Sequence, residues 1–142
     1  MLDIDTGGGE FLLSLNHPHK NTAAIEAYPP NVQLCKETLL PLGIDFKEAS
    51  ADGPLPFPDD YFDLVLNRHG SFDPKEVFRV LKPGGIFVYV VPSALHLWEM
   101  KQVLYDAPYP NEEKETPYEG FAYETIVPVE AEITLESQAD IH

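Results

Sequence analysis

The chain has 142 residues, 44% of them hydrophobic and 11% aromatic, which is enough for one core and too little chain for two ordinary domains. Nine Lys and Arg stand against 24 Asp and Glu, a formal charge of -15, so the surface repels phosphate backbones and generic nucleic-acid binding is disfavoured. The longest apolar run, Ile86 to Val91, falls far short of the ~20 residues that a membrane-spanning helix needs, and no basic, apolar leader opens the chain. These features predict a soluble, cytoplasmic protein with no membrane partner. Cys35 stands alone and reads as a small buried apolar residue on a helix.

Met1 to Ile4 predicts a short strand running into the turn Thr6-Gly7-Gly8-Gly9, after which Glu10 to Leu15 has the composition of a helix. Thr22 to Ala27 predicts a second strand. Pro30-Asn31 then opens a helix to Leu40, with Val32, Leu34, Cys35 and Leu39 at helical spacing, and Pro41 to Gly43 stop it. Ile44 to Ala49 and Tyr61 to Leu66 predict strands three and four. Pro74 to Leu81 reads as a helix closed by Lys82-Pro83-Gly84-Gly85, and Ile86 to Val91 is the strongest strand of all. Apolar strands alternating with helices predict a parallel sheet covered on both faces. Ala94 to Tyr105 reads as a further helix. Phe121 to Val127 and Val129 to Leu135 then alternate with period two, which predicts two antiparallel strands with one wetted face.

A glycine turn between a strand and a helix brings backbone N–H groups close to a polar or anionic ligand. Glu26, at the predicted carboxyl end of the second strand, is placed to accept both hydroxyls of a ribose. Together they point to a nucleoside cofactor. NAD is the weaker candidate, because Leu12 stands where the third glycine of G-x-G-x-x-G belongs.

Four blocks in order, Leu2-Asp3-Ile4-Asp5-Thr6-Gly7-Gly8-Gly9, Ile25-Glu26-Ala27, Asp52-Gly53-Pro54-Leu55-Pro56-Phe57 with Tyr61-Phe62-Asp63-Leu64-Val65, and Arg79-Val80-Leu81-Lys82-Pro83-Gly84-Gly85, resemble the class I S-adenosylmethionine-dependent methyltransferases. The resemblance covers roughly residues 1–91. It implies an α/β, Rossmann-like sheet of seven strands in the order 3-2-1-4-5-7-6, with strand 7 antiparallel and helices on both faces. It implies one methyltransferase domain over 1–142, with a cofactor-binding half at 1–91 and an acceptor-side helix and terminal strands at 92–142. It also implies S-adenosylmethionine as cofactor. Asp3 would orient the methionine amino group, Gly7 and Gly9 of the Thr6-Gly7-Gly8-Gly9 turn would line the methionine, and Glu26, followed by Ala27, would hold the ribose. Asp52 and Gly53 would sit at the adenine edge, and Asn67 would border the cofactor where the methyl acceptor enters. The family usually has glycine where this chain has Asp5, and it usually covers the cofactor with N-terminal helices that precede a first strand such as this one.

The region Pro92 to Lys101, Leu104-Tyr105 and Ile133 to Ile141 resembles bacterial large-subunit rRNA guanine methyltransferases, although the N-terminal zinc-binding cysteines of that family are absent. Three functions follow. The first is a methyltransferase for a small-molecule acceptor, which the acidic charge favours over RNA. The second is an rRNA guanine methyltransferase, which would need a recognition domain or partner. The third is a catalytically inactive cofactor-binding module. His69 in Asn67-Arg68-His69-Gly70 is the nearest general base if the acceptor needs one. His17 and His19 read as solvent-exposed rather than as metal ligands. Aromatic residues of the tail, Trp98, Tyr105, Tyr109, Tyr118, Phe121 and Tyr123, would pack, line an acceptor pocket, or drive a homodimer.

Overall fold

The apolar runs of the first ninety residues pair into one sheet. The structure is a computed structural model that describes residues 1–113 and 116–132. Strands β1 (Leu2–Ile4), β2 (Ala23–Glu26), β3 (Asp45–Glu48), β4 (Phe62–Arg68) and β5 (Leu81–Val90) are all parallel and lie in the order β3-β2-β1-β4-β5. Asp3 pairs with Ala24 on one side and Leu66 on the other, and Ile4 with Ile25 and Asn67. The order therefore reverses at β1, whose two neighbours receive their connections on opposite sides. In an open parallel sheet such a reversal leaves a crevice at the strands' carboxyl ends, where ligands bind.

The described residues contain four α-helices, α1 (Glu10–Ser14), α2 (Pro29–Thr38), α3 (Pro74–Val80) and α4 (Trp98–Leu104), of which the first three bury residues and α4 buries none. Helix α2 starts on two prolines, whose missing N–H groups fall where a helix has no intrahelical acceptor, and it turns Val32 and Cys35 inward. A 3-10 turn at Leu40–Leu42 follows, and Gly43, with φ 84, releases the chain into β3. Helix α3 is capped by Asp73, whose carboxylate accepts from the Lys75 N–H at 2.9 Å.

Alternation along the strands divides the core in two. Leu2, Ile4, Ile25 and Val65 pack with Val77 and Val80 of α3, while Ala24 on the other face packs with Leu12, Val32, Cys35, Leu39 and Phe46. Arg79 ties α3 to the preceding loop. Its guanidinium donates to both oxygens of Glu76 (2.9 and 2.7 Å), to the Leu55 and Phe57 carbonyls (3.0 and 2.9 Å) and to Asp59 (2.8 Å). The conspicuous Leu55-Pro56-Phe57 and Arg79-Val80-Leu81 blocks are thus two sides of one contact.

Several expectations are corrected. Lys82 to Gly85 do not stop the chain ahead of β5. Leu81 already pairs with Phe62 and Ile86 with Leu64, so the intervening residues form an irregularity inside the strand. The sheet is not covered on both faces along β5, where Ile86, Val88 and Val90 are 54%, 44% and 40% exposed while Phe87 and Tyr89 point inward. The described residues contain five strands, and residues 121–127 form none. A strand needs a neighbouring edge to hydrogen-bond, and in this segment Ile126 and Val127 are instead 74% and 70% exposed. The strand expected from Val129 to Leu135 lies partly outside the described residues, and residues 129–132 carry no strand. The helix expected from Ala94 shortens to Trp98–Leu104.

The aromatic tail divides. Tyr118 packs against Phe72 and Tyr89, with ring centroids 5.4 and 5.9 Å away, and Phe121 against Phe78 and Phe87 at 5.5 and 6.0 Å. Tyr105 and Tyr109 stay 61% and 77% exposed.

Candidate functional site

β1 ends at Ile4, and the next five residues form the floor of the crevice. Asp3, 1% exposed, accepts from the Thr6 hydroxyl at 2.6 Å, and burial outweighs that bond to push its carboxyl pKa up. Gly7 and Gly9 both take left-handed backbone, φ 65 and 87, for opposite reasons. A Cβ on Gly7 would meet nothing within 4 Å, so its backbone faces open space. One on Gly9 would lie 2.9 Å from Cδ2 of Leu39, so this glycine lets the turn approach the end of α2. At Gly8 the Glu10 carboxylate closes over the backbone.

Glu26 joins the turn to the second strand. Oε2 accepts from the Gly7 N–H at 2.8 Å and from Asn31 Nδ2 at 3.3 Å, while Oε1 accepts from the N–H groups of Ala27 and Tyr28 at 2.8 and 2.9 Å. Buried to 6% exposure, the carboxylate organises the mouth of the crevice from within. Cys35 has a role that a lone cysteine in a sequence does not reveal. Its thiol donates to the Gly7 carbonyl at 3.1 Å, supporting the turn from below. Burial, with Glu26, Glu10 and Asp3 nearby, pushes this thiol up to about 11.

The loops after β3 and β4 form the opposite wall. Asp52 is exposed and accepts from the Ser71 hydroxyl at 2.7 Å, and a Cβ on neighbouring Gly53 would meet nothing within 4 Å. Asn67, at the β4 register position opposite Ile4, is 1% exposed, and neither atom of its side-chain amide has a hydrogen-bond partner among the described residues. Arg68 lays its guanidinium over the Phe11 ring, 3.8 Å from the centroid. His69 is exposed, has φ 63, and is held by its backbone N–H on the Val90 carbonyl at 3.0 Å.

Asp5 links the two walls. Gly70 has no room for a Cβ because the Asp5 carboxyl occupies that space, with Asn67 Nδ2 only 3.1 Å from the same point. Burial first, then Glu26, Asp52 and Asp3, raise the Asp5 pKa to about 6. The sequence-predicted residues Asp3, Thr6, Gly7, Glu26, Asp52 and Asn67 therefore converge on one crevice, with Asp5 at its centre. His17, half-buried rather than exposed, bonds Thr22 Oγ1 at 2.8 Å near the strands' amino ends, and no metal-binding cluster exists among the described residues.

The arrangement passes a test of fit to a nucleoside ligand with an amino-acid tail. It offers open space at the Cα atoms of Gly7 and Gly53, an unpartnered buried amide at Asn67, and a carboxylate at Glu26. Residues 2–89 match the model of the methyltransferase domain family. The chain belongs to that family. Its cofactor is S-adenosylmethionine. A phthiotriol/phenolphthiotriol dimycocerosates methyltransferase of Mycobacterium tuberculosis is 37% identical over 90 residues, 58% of this chain and 33% of that protein. A fatty-acid O-methyltransferase of Mycolicibacterium smegmatis is 33% identical over 110 residues, 72% of this chain and 40% of its own length. YxjB of Bacillus subtilis, named for 23S rRNA (guanine-N(1)) methylation, is 34% identical over 114 residues, covering 76% and 39%. Among solved structures, a SAM-dependent methyltransferase of Thermotoga maritima described as a possible histamine N-methyltransferase superposes with a TM-score of 0.52 at 26% identity, over 72% of this chain and 51% of that one. The chain thus spans well under two thirds of the curated relatives it matches.

Proposed function

We propose that the protein transfers a methyl group from S-adenosylmethionine to a small-molecule acceptor, and that the crevice residues divide the work of binding between them. The observation that carries the reading is Glu26, a buried carboxylate at the end of β2 joined to the Gly7 N–H at 2.8 Å. When bound, S-adenosylmethionine supplies a methyl group on a sulfonium, already activated for in-line displacement. The chain's task is then alignment and exclusion of water more than proton transfer. Glu26 accepts from the ribose. Its bond to Asn31, the longest of four at 3.3 Å, is the one that yields most readily to a ligand hydroxyl. Asp3 and the Thr6–Gly9 turn hold the methionine end, Asp52 and Gly53 border the adenine, and Asn67 turns its amide to the ligand. His69, exposed beside the crevice, is the side chain placed to take a proton from an acceptor that must lose one.

A small molecule is favoured over RNA by the charge of -15 and by the names of the dimycocerosate and fatty-acid relatives. The match to YxjB over 114 residues supports rRNA guanine methylation as the second reading. A seven-stranded sheet in the order 3-2-1-4-5-7-6, with strand 7 antiparallel, belongs to the same reading, and the observed order β3-β2-β1-β4-β5 supports its first five positions. Calorimetric titration with S-adenosylmethionine, S-adenosylhomocysteine and NAD tests the site. Saturable binding of the two sulfur nucleosides and not of NAD is expected, and absence of binding overturns the reading. Transfer of labelled methyl to fatty acids and phenolic lipids, set against rRNA, then decides the acceptor class.

A further inference from the structure

Asp5 occupies a position where the resemblance leads one to expect glycine, and its left-handed backbone, φ 54, is one that Asp tolerates better than most residues. The fold makes room for its side chain elsewhere. Gly70, across the crevice, lacks the Cβ that would collide with the Asp5 carboxyl. Asp5 also feels Glu26 from the end of β2, Asp52 from the loop after β3, and Asp3 from β1. Any ligand held between those three carboxylates is therefore held beside Asp5 too. On the β4 side, Arg68 acts on Asp3 but stacks on Phe11, and exposed His69 precedes Gly70. Independently of the charges, Asn67 marks the same space as one that receives a polar ligand. Its amide is 1% exposed and unpartnered, and it lies 3.1 Å from where a Gly70 Cβ would stand.

We propose that Asp5 makes this crevice charge-selective, so that it holds the cationic sulfonium cofactor in preference to the neutral thioether left after methyl transfer. The proposal rests on the cofactor reading above. The two ligands share adenosine, ammonium and carboxylate groups and differ in the methyl group and the charge at sulfur. The ratio of their dissociation constants therefore isolates how that charge meets its surroundings. One added carboxylate in a partly hydrated crevice changes the ratio by about fivefold.

The test is calorimetry on the full chain with both ligands, at about pH 5 and about pH 8, for wild type and Asp5→Asn, which keeps shape and tolerates the left-handed backbone. In wild type at the higher pH, preference for S-adenosylmethionine over S-adenosylhomocysteine is expected to be about fivefold greater than in Asp5→Asn, and to fall to the variant's value at the lower pH. Asp5→Gly should match Asp5→Asn. Should both ligands bind with a ratio indifferent to the substitution and to pH, the charge selection is refuted and the cofactor site stands. Should neither ligand bind wild type, the cofactor reading fails and the selection fails with it.

Discussion

Replacing Glu26 by Gln leaves volume almost unchanged and isolates what a second carboxylate oxygen does. In the native side chain, Oε1 serves the N–H groups of Ala27 and Tyr28 at 2.8 and 2.9 Å, and Oε2 serves Gly7 and Asn31 at 2.8 and 3.3 Å. Gln offers one oxygen and one NH2 group. If its oxygen keeps the Ala27 and Tyr28 pair, its NH2 must face the Gly7 N–H and the Asn31 amide, so a charge-assisted bond is lost and a donor at 6% exposure confronts a donor. Such a loss costs about 2–3 kcal/mol, and roughly 1 kcal/mol returns because a neutral amide is easier to bury beside Asp3 and Asp5. The net is about 1–2 kcal/mol, which lowers Tm by roughly 3–8 °C in a domain of this size. Cofactor affinity should fall at least about tenfold, because the ribose loses a charged acceptor. The Asp5 pKa, which Glu26 helps raise to about 6, should move down. Urea unfolding, calorimetric titration and the carboxyl NMR titration of Asp5 read the three effects. A variant as stable as wild type that binds S-adenosylmethionine equally well refutes the assignment of Glu26 as both brace and ribose acceptor.

Arg79→Lys keeps the charge but loses the planar fork that reaches Glu76, Leu55, Phe57 and Asp59, and should cost about 2 kcal/mol in urea unfolding; a loss below about 0.5 kcal/mol contradicts it. Because Arg79, by hydrogen bonding, holds the Glu76 carboxyl below its ordinary 4.5, the pair stabilises the fold above that pH and the contribution fades as pH falls through the depressed value. Asp5 acts with the opposite sign. Its folded pKa of about 6 lies above the ordinary 3.8, so ionising it destabilises the fold progressively as pH rises between those values, and Asp5→Asn should flatten that decline in wild-type stability. Gly9→Ala meets both a left-handed φ of 87 and Leu39 at 2.9 Å, and should destabilise by about 2–3 kcal/mol; Gly7→Ala, with open space before it, should cost about 1 kcal/mol yet lose most cofactor binding. Equal destabilisation by the two would show that the glycines are not divided between packing and ligand. Cys35, fully buried and pushed up to about 11, should react with a thiol reagent only on unfolding, and fast labelling of native protein would disprove its place under the turn.

Local pattern made much of this protein legible. Strand-forming runs of four to six residues, the two prolines opening α2 and the glycine turn after β1 each act over a few neighbours, and so the five strands and three helices of residues 1–90 could be placed from sequence. Glu26 could be placed by the same local pattern, since it ends β2, whereas Asp3, inside β1, and Asp52, in the loop after β3, were singled out only through the family resemblance. The tail was misread where period-two alternation stood in for a partner. Residues 121–127 have the alternation but pair with no strand among the described residues, and packing of Phe121 against Phe78 and Phe87 decides their path instead.

Tertiary structure alone decided which glycine faces ligand and which faces Leu39, since both have the same side chain and the same sign of φ and differ only in what lies across space. It alone put Cys35 beneath Gly7, 28 positions away, and set Gly70 against Asp5. Electrostatics at the crevice belongs to the same class. The amino-acid sequence determines that the chain is acidic, but burial and the convergence of Asp3, Glu26 and Asp52 raise one carboxyl, Asp5, toward neutrality, because field strength depends on distances and dielectric that only the folded chain defines.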